Sequence, residues 1–175
     1  MVDGEGADVP RDGVTVGEVV MRGNNVMKGY FEDEAGTAEA FRGGVFHSGD
    51  LGVWHPDGYI ELRDRAKDIV VSGGENISTI EVEITLVSHP AVHQAAVVGV
   101  PDERWGERPK AFVVLRPGAA ATPDELRAHV RERLAAYKCP DVIEVVDSLP
   151  TTSTGKVQKH VLRSREWAGR ERRIN

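Results

Sequence analysis

A chain of 175 residues holds one domain comfortably, or two small ones, and 40% hydrophobic residues suffice for a buried core. One cysteine excludes an internal disulfide and fits a reducing compartment, so a cytoplasmic location is expected. No apolar run approaches the ~20 residues of a membrane span, and the acidic start MVDGEGADVPRDG is no signal peptide.

The net charge of −6 is unevenly spread: residues 1–62 carry four Lys/Arg against twelve Asp/Glu, whereas from Thr151 onward seven basic residues face two acidic ones. That basic end lacks the interleaved aromatics of a single-strand binder. Phosphate-bearing small molecules are therefore the expected partners, and nucleic acid is not.

Residues 14–30 alternate apolar and polar around Gly17, Gly23 and Gly29, the pattern of short strands with glycine turns. Phe31 to Phe41 reads as a short acidic helix. In the following Gly43–Gly52 stretch, Asp50 stands between two glycines, at a strand end or in a turn. Its carboxylate suits the hydrogen bonds of a vicinal diol, although a plain turn aspartate reads the same way. Val53 to Leu62 is a hairpin whose turn is Pro56-Asp57-Gly58.

Arg63 to Glu83, RDRAKDIVVSGGENISTIEVE, reads as a charged linker, a short strand, a glycine turn and a helix start. Ser78 or Thr79 caps that helix, whose first turns carry Glu81 and Glu83. The helix runs over Ile80–Ser88 and stops at His89-Pro90. His89 and His93 have metal-ligand spacing on paper, but Pro90 breaks the helix that would align them, so no metal site is expected. Val92–Val100 and Lys110–Leu115 read as strands, separated by a loop holding Trp105. Thr122-Pro123-Asp124-Glu125 opens a helix with Leu126, Val130 and Leu134 on one face, predicted to end near Tyr137-Lys138-Cys139-Pro140. Val142–Val146 is a strand.

The segment Thr151-Thr152-Ser153-Thr154-Gly155-Lys156 invites a P-loop reading and fails it. Residue 150 is Pro where the first glycine belongs, and residue 157 is Val where Ser or Thr should hold magnesium. What remains is a hydroxyl-rich, flexible loop presenting one lysine. The tail LRSREWAGRERRIN reads as a basic helix or fray, docked by Trp167.

Three stretches together carry a resemblance. FHSGDLG, DRAKDIVVSGGENIS and LPTTSTGKVQK, in this order, resemble the motifs of the adenylate-forming superfamily, most of all its fatty-acyl and medium-chain acyl-CoA synthetases. Val45, Ser48 and Thr151 depart from the usual Trp, Thr and Arg, while Asp50 and the Gly155-Lys156 pair are kept. The resemblance implies an α+β fold: residues 1–64 as the β-rich end of a large AMP-binding domain, and residues 65–175 as its small mobile C-terminal domain, with a hinge near 63–68. It implies ATP/AMP and coenzyme A as ligands, with Mg2+ accompanying ATP but finding no protein ligand in this chain.

The same resemblance implies the site residues. Asp50 and Arg65 would bind the nucleotide. Lys67 would be the hinge residue, and Lys156 the catalytic lysine that meets the carboxylate and α-phosphate. Gly73, Gly74, Trp105, Tyr137 and Lys138 would line the path of coenzyme A. A whole enzyme would also need a Ser/Thr/Gly-rich phosphate loop and an acyl pocket upstream. This chain alone is therefore expected to be inactive, and its 1–62 part, with apolar surface uncovered, to self-associate or be mobile. Two other classes stay open: a non-catalytic nucleotide-binding or interaction module derived from such a synthetase, and an adenylation partner of a carrier protein.

Overall fold

In the computed structural model, residues 1–169 are described. The chain divides into two compact units, one formed by Met1–Lys67 and one that begins at Asp68. The fold is mixed α+β. No described helix is long and apolar enough to cross a membrane.

The first unit is a three-stranded antiparallel sheet, β1 (Val16–Met21), β2 (Phe46–Trp54) and β3 (Ile60–Arg65), with β2 in the middle. A short helix, α1 (Glu34–Ala40), precedes β2 and is capped by the Asp33 side chain, which accepts from the Gly36 N–H. The β2–β3 hairpin closes at Pro56-Asp57-Gly58 as the sequence predicts. The Tyr59 carbonyl accepts from the His55 N–H at 2.8 Å, and Asp57 Oδ1 accepts from the Tyr59 N–H at 3.0 Å. Between Leu51 and Gly52 the pairing slips by one residue, and a Cβ at Gly52 would lie 2.6 Å from the Glu61 carbonyl oxygen. Only glycine lets the two backbones approach this closely. Large apolar side chains remain exposed in this unit, among them Val14, Phe31, Tyr59 and Leu62. Of the several short strands expected over residues 14–30, only β1 forms.

The second unit is built on one long hairpin, β6 (Val92–Asp102) and β7 (Gly106–Leu115). Both strands outrun their predicted limits, so the expected loop shrinks to Glu103-Arg104-Trp105. Polar residues at 102, 107 and 108 masked the strand ends, because strand pairing is set by backbone and burial as much as by side-chain type. Along its other edge β7 meets β4 (Val70–Ser72) at its start and β8 (Val142–Val145) further on. The β8 pairing is parallel, while the rest of the sheet is antiparallel. A further strand that the sequence reading lacks, β5 (Glu75–Ile77), pairs with β4 across a two-residue turn, Gly73-Gly74. Both glycines have positive φ, 59° and 89°, as a two-residue hairpin turn requires.

This sheet is covered on both faces, and the period-2 geometry of its strands sorts the side chains between them. Val97, Ala111 and Val113 enter one core with Val70, Ile77, Val82, Leu86, Leu126 and Val130. That core lies under α2 (Thr79–Val87) and α3 (Pro123–Arg131). Ala96, Val98 and Phe112 point the other way, into a smaller core with Leu149 and Leu162. Leu162 belongs to α4 (Lys159–Glu166). The apolar run AAVV in β6 is the signature of a strand buried on both sides.

Ser78 caps α2, its hydroxyl accepting from the Glu81 N–H. Thr122 caps α3 through a full capping box with Glu125, and Pro123 takes the first position. α3 stops at Arg131, short of its predicted end. The backbone turns extended at Ala135 (ψ 146°), a short 3-10 turn covers Ala136–Lys138, and Cys139 ahead of Pro140 is extended. Leu126 and Val130 are buried as expected, while Leu134 packs at the core edge. The expected tail helix is α4 as far as Glu166, and the part of that expectation beyond residue 169 lies outside the described residues.

Replacing the α3 cap tests the local argument. Thr122→Ala should destabilise the second unit by about 1 kcal/mol, and Thr122→Ser by much less. Hydrogen exchange of the α3 amides under native conditions reads both.

Candidate functional site

The first unit brings the two expected nucleotide ligands together. Asp50 on β2 lies directly opposite Arg65 on β3, and Arg65 Nε donates to Asp50 Oδ1 at 2.8 Å. Both side chains are partly exposed, so the pair is open to a ligand. Asp50 is the residue after Gly49, whose φ of 73° marks a sharp break in the strand. The Ser48 hydroxyl accepts from the Asp50 N–H at 3.0 Å and donates to the Val19 carbonyl at 2.7 Å. Ser48 thus ties the Asp50 backbone to β1.

Glu18 on β1 is the residue that sequence reasoning missed here. Its carboxylate accepts from the Gly49 N–H at 2.9 Å, from His47 Nδ1 at 2.7 Å and from Arg42 Nη2 at 3.0 Å. It therefore fixes the glycine that precedes Asp50. Burial pushes its pKa up, but the hydrogen bonds from His47 and Gly49 and the charges of His47 and Arg42 outweigh that, so the carboxyl titrates below its ordinary value. The alternation of VTVGEVVM marked Glu18 only as a polar strand position. Its partners are 24 to 31 residues away, so no local pattern could reveal them.

In the second unit, Gly73 and Trp105 meet. The Trp105 carbonyl accepts from the Gly73 N–H at 2.9 Å, and a Cβ at Gly73 would stand 2.6 Å from the indole ring. Around Gly74 there is open space. Asp102 Oδ1 accepts from the Arg104 and Trp105 N–H groups, and the Arg104 guanidinium stacks 4.5 Å from the indole centroid. Trp105 is half-exposed. The glycine turn and the tryptophan loop thus form one surface, although 30 residues separate them.

Tyr137 and Lys138 lie on the 3-10 turn after α3. Tyr137 is exposed, whereas Lys138 Nζ is paired with Glu81 on α2 at 2.6 Å. Lys67 is exposed on the short turn Ala66–Asp68, at the end of the first unit. His89 stacks edge-on against His129, centroids 5.0 Å apart, and His129 in turn faces the Thr85 carbonyl and the Ser88 hydroxyl.

The Lys156 loop is more ordered than its composition suggested. Thr151 and Val157 form a bridge, and the Lys156 carbonyl accepts from the Thr152 N–H at 2.8 Å. The Thr152 hydroxyl accepts from the Lys156 N–H at 3.1 Å and meets the Thr154 hydroxyl at 2.9 Å. Gly155, at φ 81°, closes the turn. The Thr152 and Thr154 hydroxyls are thus engaged inside the turn, which holds the Lys156 backbone while Lys156 itself stays exposed.

Directly after the loop, α4 is fixed by charges. Lys159 donates to Glu83 Oε1 and to the Thr79 hydroxyl, each at 2.8 Å. Arg163 pairs with Asp68. Lys110 lies 2.6 Å from Glu166 and 3.0 Å from Glu144. Burial lowers the Lys110 pKa, but these two carboxylates more than offset it and hold it above the ordinary value. Trp167 Nε1 donates to the Gly99 carbonyl at 2.9 Å. Trp167 was expected to dock this segment, but the ion pairs were not legible in sequence.

Known proteins resemble this chain over most of its length. Residues 81–156 match the family model of the AMP-binding enzyme C-terminal domain. An acetate–CoA ligase of Humulus lupulus is 54% identical over 162 residues, which are 90% of this chain and 28% of the ligase. Among solved structures, ATP-bound MatB of Rhodopseudomonas palustris superposes with a TM-score of 0.86 at 36% identity, over 94% of this chain and 32% of MatB. The o-succinylbenzoate CoA synthetase of Bacillus subtilis, in complex with its acyl-adenylate intermediate, does so with 0.82 at 38% identity, over 92% of this chain and 32% of the synthetase. Residues 81–156 therefore carry an AMP-binding enzyme C-terminal domain, and the chain as a whole is similar to parts of these enzymes. Its relatives include CoA ligases, and it spans about a third of their length.

The Glu18 contacts make a pH prediction. A carboxyl with a lowered folded pKa stabilises fully above its unfolded value, near 4.5, and loses that contribution as pH falls through the lower folded value. The Gly49 amide resonance should therefore titrate with a midpoint below 4.5, and in Glu18→Gln that transition should vanish. An unchanged Gly49 titration in the variant would remove Glu18 from the role assigned to it.

Proposed function

We propose that this chain is the C-terminal portion of an acid–thiol ligase. The enzyme joins a carboxylic acid to coenzyme A in two steps. First, the acid's carboxylate oxygen attacks the α-phosphorus of ATP and pyrophosphate leaves, giving acyl-AMP. Then the thiol of coenzyme A attacks the acyl carbonyl, its proton is lost to solvent or base, and AMP leaves. On this reading residues 1–64 end the large AMP-binding domain, and residues 65–175 are the mobile domain that serves both steps.

The observation that carries the reading is the Lys156 turn. A lysine stands exposed on a hydrogen-bonded loop, in a chain whose relatives include ligases that make acyl-CoA. An ammonium held this way offsets the negative charge that gathers on carboxylate and α-phosphate as they meet. Asp50, with Oδ1 occupied by Arg65, keeps acceptor capacity for a ribose hydroxyl, and Arg65 keeps further N–H donors for oxygen atoms of the nucleotide. The Gly73–Trp105 surface has no side chain at 73 or 74 and is open around Gly74, which suits the passage of a thiol arm. Tyr137, exposed on its 3-10 turn, offers a face for stacking. Lys138, paired with Glu81, would meet a phosphate only by exchanging that partner. The apolar surface of the first unit would be covered by the remainder of the large domain.

The test joins this chain to the upstream two-thirds of a close relative and measures the two half-reactions separately. Lys156→Ala should slow adenylation by about two to three orders of magnitude, the cost of losing one preorganised stabilising group. Thioester formation from supplied acyl-AMP should fall far less. Equal losses in both would mean the lysine does not act in one step only, and no loss would mean it is an ordinary solvated residue.

The hinge reading has its own test. A pivot residue must take different backbone angles in two conformations, and proline fixes φ near −65° and restricts its predecessor. Lys67→Pro should leave adenylation within about tenfold and reduce thioester formation much further. Lys67→Ala should be mild in both, because the argument concerns backbone freedom and not charge.

A further inference from the structure

Asp68 is the first residue of the second unit, and it is buried. Its carboxylate is paired with the Arg163 guanidinium, 95 residues later, on α4. Both side chains are nearly enclosed, at 12% and 14% exposure. Arg163 Nε is buried and finds no partner among the described residues, so Asp68 is the group that holds this guanidinium. An arginine is enclosed here at an energetic disadvantage that a surface position would not impose.

The position of the pair explains what it does. α4 begins at Lys159, three residues after Lys156, and the Gln158 N–H donates to the Pro150 carbonyl at 2.8 Å. Val157, next to Lys156, packs on the same small core as Leu162 of α4. Lys159 is locked to Glu83 and Thr79, and Glu83 is locked in turn to β6 by the Val97 N–H at 2.7 Å. The lysine loop and α4 therefore form one piece. The Asp68–Arg163 pair ties that piece directly to the chain entering from Lys67.

We propose that Arg163 is a positioning residue: with Asp68 it welds the first residue beyond the hinge to the helix that follows the Lys156 loop, so that backbone rotation at Lys67 is delivered to the lysine without slack. The functional part of this statement rests on the role of Lys156 proposed above, whereas the weld itself does not. A pivot followed by a compliant joint would spread any rotation over several residues and blur the lysine's position, and a 1 Å error in such a group is costly. A buried charge pair adjoining the pivot keeps the joint stiff.

Two measurements test this. On the 175-residue chain, hydrogen exchange at the amides of α4 and of Gly155 and Lys156 should accelerate at least tenfold in Arg163→Met and in Asp68→Asn. The slow amides of β6 and β7 should be unchanged, and the double variant should be no worse than either single one. Arg163→Lys should retain most of the protection, because one N–H donor suffices for Asp68. Asp68→Asn keeps side-chain shape and decides the matter if Arg163→Met does not fold. Unchanged exchange in α4, acceleration spread equally over the whole unit, or equal loss in Arg163→Lys and Arg163→Met would each overturn the weld.

In the joined enzyme, Arg163→Met should lower kcat of adenylation about tenfold, with KM for ATP unchanged, and should add nothing in a Lys156→Ala background. A further loss in that background would show that Arg163 does not act through Lys156. If Lys156→Ala itself has no effect, the functional reading fails, and the exchange data still decide the weld.

Discussion

The second unit depends on the β6–β7 hairpin being buried on both faces. A strand that shows Val97 to one side and Ala96 and Val98 to the other is stable only when both sides are covered. α2 and α3 cover the first face with an apolar core. α4 covers the second, and it does so with few apolar residues: Leu162 is its one buried side chain. The shortfall is met by ion pairs from Lys159, Arg163 and Glu166 and by the Trp167 indole. A strongly polar helix can cap a core in this way if each charge it buries meets a partner.

Local chemistry made much of the fold legible. Pro56-Asp57-Gly58, the Thr122-Pro123 start of α3 and the Gly73-Gly74 turn were each readable, because turn and cap geometry is decided within four residues. The end of α3 and the ends of β6 and β7 were not. Helicity after Arg131 is limited by where the chain must go to reach β8, and the strand ends are set by partners across the hairpin. β5 escaped because Glu75-Asn76-Ile77 has no strand composition and forms by pairing with β4.

The same division holds at the site. Asp50, Arg65 and Lys156 were named from sequence by resemblance, and the structure adds how they are held: Asp50 against Arg65 across a hairpin, Lys156 on a turn made by Thr152. Glu18, Asp68 and Arg163 carried no signal, and Glu83 read only as an acid at a helix start. Each sits in a run where a charged residue reads as a solvated face, and each acts on something distant in the chain. Supporting contacts of this kind are invisible to local pattern because only the fold brings them together.

The contact between Trp105 and Gly73 has an optical consequence. The chain has three tryptophans, and they fall in different places: Trp54 in the first unit beneath the Arg11 guanidinium, Trp105 on the glycine turn, and Trp167 bound to the Gly99 carbonyl beside α4. Only Trp105 both touches the turn and is open to solvent. Its emission therefore reports on whatever passes along Gly73-Gly74. With Trp54 and Trp167 replaced by phenylalanine, the chain would carry its own fluorophore at that position, with no added label.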